Sequence, residues 1–355
     1  MSTHTIGNII QLTTFGESHG SHIGGVLTGV PAGLKIDFDA IAAEMARRRP
    51  GQSDITTPRN EKDAVQWLSG IFEGETTGTP IGFTIVNADV KSSDYNNLKE
   101  VYRPSHADKT YSDKYGVRDH RGGGRASARE TAVRVAAGAL VRQLMPSISF
   151  HSYVSQVGDI TVPLSYKELD LSQTESNKIR CPHPETAQKM EAYIESLRDA
   201  GDTIGGVITT VIKGVPAGWG APIYQKLHAA LGSAMLSINA VKGFDYGLGF
   251  EGLHLTGSQQ NDTANDQGGL ASNNSGGIQG GISNGEDIYF RVAFKPIATL
   301  GVEQKTTNSE GEVVFLKAKG RHDPCVLPRA VAIVENVSAL ILGDFSLLAR
   351  LDKFK

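Results

Sequence analysis

The pentapeptide Gly16-Glu17-Ser18-His19-Gly20 sets a hydroxyl beside an imidazole, between two glycines that let a ligand come close to the backbone. A second imidazole lies in Arg103-Pro104-Ser105-His106-Ala107-Asp108. A third group, Arg321-His322-Asp323-Pro324-Cys325, packs a cation, an imidazole and a carboxylate before a proline. The stretch Arg121-Gly122-Gly123-Gly124-Arg125-Ala126-Ser127-Ala128-Arg129-Glu130 runs a glycine loop into a helix start, where free N–H groups attract anions. Around it Arg118, Arg121, Arg125, Arg129 and Arg134 face only Asp119 and Glu130, and Arg47-Arg48-Arg49-Pro50-Gly51 forms a second cluster. Histidines, a carboxylate and dense arginines suit general acid–base chemistry on a small substrate bearing phosphate or carboxylate groups. Each motif also has a plainer reading. His19 serves as a turn residue, His106 as an imidazole bonded by Asp108, and Ser127 as the N-cap of a capping box with Glu130. Arg47 to Arg49 then serve as cations at a helix C-terminus.

Several classes are set aside. No third and fourth ligand accompany the histidines at metal-binding spacing, so no metal is expected. The glycine loop lacks the Gly-Lys-Ser/Thr of a nucleotide P-loop. Gly247-Leu248-Gly249-Phe250-Glu251-Gly252 matches the dinucleotide fingerprint, but Leu253 to Thr256 reads as strand where a helix should follow. A net charge of −3 supports neither nucleic-acid nor membrane binding. The N-terminus lacks a basic-then-apolar signal, and the most apolar stretch, Ala330 to Leu348, contains Glu335, Asn336 and Asp344. A cytoplasmic chain with Cys181 and Cys325 reduced is expected.

The elements that must position these groups come next. A chain of 355 residues exceeds one core, and its 41 glycines, against a usual share of about 7%, call for many tight turns. The run from His22 to a Pro31-Ala32-Gly33 turn recurs from Thr203 to Pro216-Ala217-Gly218. Gly70, Ile71, Gly74, Gly78, Ile81 and Phe83 recur without a gap as Gly277, Ile278, Gly281, Gly285, Ile288 and Phe290. A helix from Arg129 is matched by one from Arg329. The ordered set predicts two similar α+β halves, approximately 1–150 and 200–355, about a pseudo-twofold axis with a cleft between them. A helical segment, 151–199, joins them. Helices are predicted from Glu130 to before Pro146 and from Pro184 to Gly201. The polar stretch 257–276 reads as structureless, either a functional loop or a disordered one.

Taken together, seven motifs resemble chorismate synthase over essentially the whole chain. They are Thr14-Phe15-Gly16-Glu17-Ser18-His19-Gly20, Arg47 to Gly51, Arg103 to Asp108, Tyr115 to Thr131, Ser237-Ile238-Asn239-Ala240-Val241-Lys242-Gly243, Gly276-Gly277-Ile278-Gln279-Gly280-Gly281, and Gly320 to Cys325. The resemblance implies a 1,4-anti elimination of phosphate from 5-enolpyruvylshikimate 3-phosphate, giving chorismate, with reduced FMN required and NADPH a candidate reductant. It implies His19 as the acid at the departing phosphate with Ser18 beside it, His106 at the reduced flavin, Asp323 helping to remove the ring proton, and Ser127 bonding into the same region. Flavin contacts are implied for Arg125, Ala126, Ser127, Asn239, Ala240, Gly280, Lys295, Pro296, Ile297, Ala298, Thr299 and Arg321. Substrate contacts are implied for Arg48, Arg103, Arg129 and Arg321, with Arg59 compensating where Asp54 replaces an arginine common in relatives. The implied assembly is a homotetramer. The whole expectation is one α+β domain over 1–355, internally duplicated, with long helices sandwiched between two antiparallel sheets. Two other readings stay open on the residues alone: a cofactor-free phosphate lyase or phosphatase, and a non-enzymatic anion-binding protein.

Overall fold

Alternation at every second residue builds the strands. In Ile81–Val86 the side chains of Ile81, Phe83 and Ile85 are buried, and in Ile288–Phe294 those of Ile288, Phe290, Val292 and Phe294, while their neighbours face outward. A computed structural model describes residues 3–53, 55, 63–88, 98–317 and 323–352. Its first half contains β1 (Thr5–Ile6), β2 (Gln11–Gly16), β3 (His22–Thr28), α1 (Phe38–Arg48), β4 (Val65–Trp67), the hairpin β5 (Ile71–Phe72) and β6 (Glu75–Thr76), and β7 (Ile81–Val86). The helices α2 (Asp108–Tyr115) and α3 (Thr131–Arg142) follow. The second half contains β8 (Ser149–Val157), β9 (Ile160–Thr161), α4 (Pro184–Asp199), β10 (Gly206–Lys213), α5 (Leu227–Leu236), β11 (Val241–Tyr246) and α6 (Gly257–Gln260). It continues through the hairpin β12 (Ile278–Gln279) and β13 (Ile282–Ser283), β14 (Ile288–Phe294), the pair β15 (Gln304–Thr307) and β16 (Val313–Leu316), and α7 (Leu327–Leu348).

Two five-stranded sheets, ordered β1-β2-β3-β7-β4 and β11-β14-β10-β8-β9, are antiparallel throughout. Helices fill the space between them. α3 lies on the first sheet, α5 and α7 lie on the second, and α1 packs against α3 and α7. A side chain at Gly138 would place its Cβ 2.1 Å from the Asn336 carbonyl oxygen, so this glycine lets α3 and α7 cross at close range. α7 is long and apolar enough to cross a membrane, yet 89% of that window is buried inside the protein. Its polar residues are held internally. Asp344 accepts the backbone N–H groups of Asn8, Ile9 and Ile10, and Glu335 accepts that of Ser152. It is therefore the central core helix.

The structure departs from the sequence reading in three places. The segment 151–199 is not a helical connector throughout: β8 runs through Val157 as an interior strand of the second sheet, because its apolar residues pair with β10, and α4 occupies only Pro184–Asp199. The stretch 257–276 is tied down, not structureless. Thr256 forms a capping box with Gln259, and Asp262 accepts from Ser272, Asn274 and Ser275. Leu253 to Thr256, read as strand, begins instead in a 3-10 turn spanning Gly249–His254. Cys181 and Cys325 are both buried and unpaired.

Candidate active site

The His19 pentapeptide closes the β2–β3 hairpin, so two paired strands fix where its loop begins and ends. Ser18 Oγ lies 3.1 Å from His19 Nδ1, and the Ser18 N–H points to the Gly124 carbonyl at 3.4 Å. The glycine loop touches the imidazole from the other side: a Cβ at Gly122 would fall 2.2 Å from His19 Nδ1. Arg125 ties the same loop to β2, donating to the Gly16 carbonyl at 3.0 Å and to Thr14 Oγ1 at 2.6 Å. Ser127 does cap a helical turn, accepting the Arg129 N–H at 3.3 Å, but the capping box is incomplete. Glu130 instead accepts from the Thr14 hydroxyl at 3.0 Å and from Arg134 at 2.9 Å, while the Ser127 N–H turns to the Gly124 carbonyl at 3.4 Å.

The second half meets this loop at one end of its sheet. Asn239 Nδ2 donates to the Ala126 carbonyl at 2.8 Å, while its Oδ1 is buried with no hydrogen-bond partner among the described residues. The Ala240 carbonyl accepts the Lys295 N–H at 2.9 Å, and Lys295 Nζ reaches the Ser105 carbonyl at 3.0 Å, next to His106. Burial and the nearby Lys242 charge lower the Lys295 ammonium pKa. Pro296, Ile297, Ala298 and Thr299 continue from there, anchored where Thr203 donates to the Ile297 carbonyl at 2.9 Å. Within the single chain Gly280 stands apart from them. It sits in the β12–β13 turn, at the end of β14 where Ile288 begins, whereas Lys295 follows the other end. Seven strand residues at about 3.3 Å each separate the two.

The arginines are less open than their density implied. Arg103 forms a bidentate pair with Asp108, at 2.8 Å for both bonds, and Arg118 stands 3.2 Å from the same carboxylate. Burial raises the Asp108 pKa, but Arg103 and His106 outweigh it and hold the group well below the usual carboxylate range. His106 Nδ1 is 2.9 Å from Asp108 Oδ1, the partner the plainer reading expected, but without hydrogen-bond alignment. Arg48, only 1% exposed, and Arg129 converge on Asp63. Burial raises the Asp63 pKa, and the two guanidiniums more than reverse that. Arg329 donates to Asp323 at 2.7 Å and to the Arg48 carbonyl at 3.4 Å. Among the described residues, Arg48, Arg129 and Arg329 thus gather on Asp63 and Asp323. Burial, then the neighbouring charges of Arg329 and Arg129, pull Arg48 down to about 10 despite Asp63. Asp63, Asn87 and Arg329 were not singled out from the sequence as site residues. Arg329 appeared there only as a helix start, and no local pattern marks the other two. Arg59, Arg321, His322 and Asp54 lie outside the described residues.

Size does not locate this site. A cavity of about 790 Å³ lies on the outer face of the second sheet, lined by Tyr153, Thr209, Tyr289 and Arg291, and there Arg291 is already paired with Asp245 and Glu251. The gap bounded by Glu17, His106, Gly122 to Gly124 and Ala126 offers about 20 Å³, yet it is where both histidine loops meet.

The comparisons with known proteins agree with one another. A family model described as chorismate synthase matches residues 10–347. The chorismate synthase of Christiangramia forsetii is 60% identical over 347 residues, covering 98% of each chain. That of Parabacteroides distasonis is 60% identical over 352 residues, again covering 98% of each. A crystal structure of chorismate synthase superimposes with a TM-score of 0.76 at 30% identity, covering 98% of this chain and 93% of that one. With its antiparallel sheets, enclosed helices and histidine loops in that arrangement, the chain belongs to the chorismate synthase family.

Proposed function

We propose that the meeting point of the His19 loop, the glycine loop and the Asn239–Lys295 end of the second sheet binds 5-enolpyruvylshikimate 3-phosphate beside reduced FMN. The reaction itself is the family's: a carbon–oxygen lyase eliminates phosphate from that substrate to give chorismate, in aromatic amino acid biosynthesis. The observation that carries the site assignment is the convergence of the His19 loop on the glycine loop, with Asn239 bonded to Ala126 and Lys295 bonded beside His106. The arginines gathered beside it, Arg48, Arg129 and Arg329, suit a phosphate or carboxylate of the substrate. Arg48, Arg103 and Arg129 serve it from their buried pairs.

With Nδ1 turned toward Ser18, His19 delivers its proton from Nε2 to the departing phosphate oxygen. Asp323, held by Arg329, takes up the proton lost from the ring. The family implies a reduced flavin, and the residues fit one: Asn239 Oδ1 is a buried acceptor awaiting a donor, a need that a polar ring edge with N–H groups meets. Arg125, Ala126, Ser127, Asn239, Ala240 and Lys295 to Thr299 would hold it. When bound, reduced FMN supplies electron density to the substrate as phosphate leaves. Lys295, through Ser105, keeps His106 at that place.

Internal duplication belongs to the same proposal. The succession β2, β3, α1, β4, β5–β6, β7, α3 parallels β8, β10, α5, β11, β12–β13, β14, α7. The strand orders β2-β3-β7-β4 and β8-β10-β14-β11 correspond as well. This supports two halves within one domain over 1–355. A cytoplasmic homotetramer completes the reading. Exposed Phe250 and Leu253, 75% and 76% accessible, supply apolar surface for self-association, which light scattering measures.

The test is an anaerobic assay with the substrate and chemically reduced FMN, following chorismate and phosphate together. Equal release of both is expected, lost without reduced flavin and lowered about 100- to 10,000-fold in H19A. Phosphate without chorismate, or full turnover in H19A, overturns the assignment. NADPH in place of the chemical reductant then shows whether the chain reduces its own flavin.

A further inference from the structure

Asn87, the residue after β7, is 9% exposed and makes contacts that no sequence motif announced. Its Nδ2 donates to the Glu17 carbonyl at 2.9 Å and to the Gly20 carbonyl at 2.8 Å, and its backbone N–H donates to the Ser21 carbonyl at 3.0 Å. The two side-chain bonds bracket Ser18 and His19. Its Oδ1 accepts from Arg129 Nε at 2.8 Å. Carbonyls only accept and guanidiniums only donate, so these three partners allow the carboxamide one orientation. Arg129 is fixed in turn by Asp63 and by the Val86 carbonyl at 3.0 Å.

We infer that Asn87 is a positioning residue that clamps the Glu17–Gly20 loop so that His19 stays seated against Gly122 at the reacting centre. The clamp matters because His19 stands in a loop with glycines at Gly16 and Gly20, whose backbone otherwise samples many conformations. This inference rests on His19 being the acid, and the experiment separates the two.

The variants N87A and N87D are prepared as full chains. Modification of His19 by diethyl pyrocarbonate is read by peptide mass spectrometry, and kcat and KM are read in the anaerobic assay. In N87A, His19 modification is expected to quicken several-fold, and kcat to fall at least about 10-fold with substrate KM within about 3-fold, as a small misplacement of a reacting group produces. N87D keeps the Arg129 partner but turns a carboxylate oxygen toward two carbonyl oxygens. Protonation restores one O–H donor, so the ratio of N87D to wild-type kcat rises as pH falls. A clamp-independent loss of structure does not produce that rise. An unchanged His19 modification rate in N87A overturns the inference. So does quicker modification with unchanged kcat, where H19A abolishes turnover. If H19A retains turnover, it is the reading of His19 as acid that fails, and the modification rate still decides the clamp. Should N87A not fold, a flat or falling N87D ratio overturns the inference by itself.

Discussion

Gly122 offers the sharpest test of how the imidazole is seated. Its backbone lies at φ +135°, where side chains are strained, and a Cβ there would stand 2.2 Å from His19 Nδ1 and 3.1 Å from Ser18 Oγ. In G122A the imidazole must retreat by roughly 1 Å to reach ordinary van der Waals contact, and a displacement of that size costs about 100-fold in rate. That corresponds to about 2.7 kcal/mol of activation free energy. The backbone adds a separate cost to folding of about 1–3 kcal/mol. Denaturant unfolding reads the second term and the anaerobic chorismate assay reads the first. The expected variant is folded, somewhat less stable, and about 100-fold slower with substrate KM little changed. A folded G122A whose kcat stays within about 3-fold of wild type would refute the claim that His19 works from the position seen here.

Two further outcomes concern buried ionisable groups. D63N leaves Arg48 and Arg129 without their shared carboxylate, and should cost about 3–5 kcal/mol in urea unfolding at neutral pH. Because the folded-state pKa of Asp63 is depressed, its stabilisation is fully present above the unfolded value of about 3.9 and is lost as pH falls through the lower folded value. The wild type should therefore lose more stability than D63N on acidification through that window, and parallel curves would show that Asp63 is not so held. Burial pushes the Cys325 thiol up to about 12 and raises Cys181 as well. A disulfide-exchange reagent at pH 8 should thus titrate neither thiol in the folded protein and both after denaturation. Rapid reaction of either in the native state would contradict their placement.

The strands were legible because burial on one face leaves a period of two, as in Ile81, Phe83 and Ile85 and again in Ile288, Phe290 and Val292. α4 was legible from Pro184 to its stop at Gly201, whose φ of +74° suits glycine. β8 was misread as connector because a buried interior strand, with Val154 and Val157 inside beside Phe150 and Tyr153, carries no clean alternation. The loop at 257–276 looked structureless because its order rests on Asp262 gathering three backbone and side-chain donors, which composition does not show. The family resemblance groups Gly280 with Lys295, and only strand direction shows how far apart they lie within one chain.

Read alone, the amino-acid sequence determined the chemical kit: two histidines on tight loops, a glycine loop entering a helix, the arginine clusters, and enough ordered motifs to point to a family. Those are local properties, fixed by residue type and spacing. It did not determine which charge meets which. Arg48 finds Asp63 fifteen residues on, while the Arg48 carbonyl is met by Arg329 nearly three hundred residues away. Those pairings follow from where the sheets and helices bring side chains out of water. A buried ion must be matched by whatever the tertiary fold puts beside it, and neighbours in space leave no periodic trace along the chain. The same reason hid Asn87, an ordinary polar residue at a strand end until folding set two carbonyls of the His19 loop against its amide.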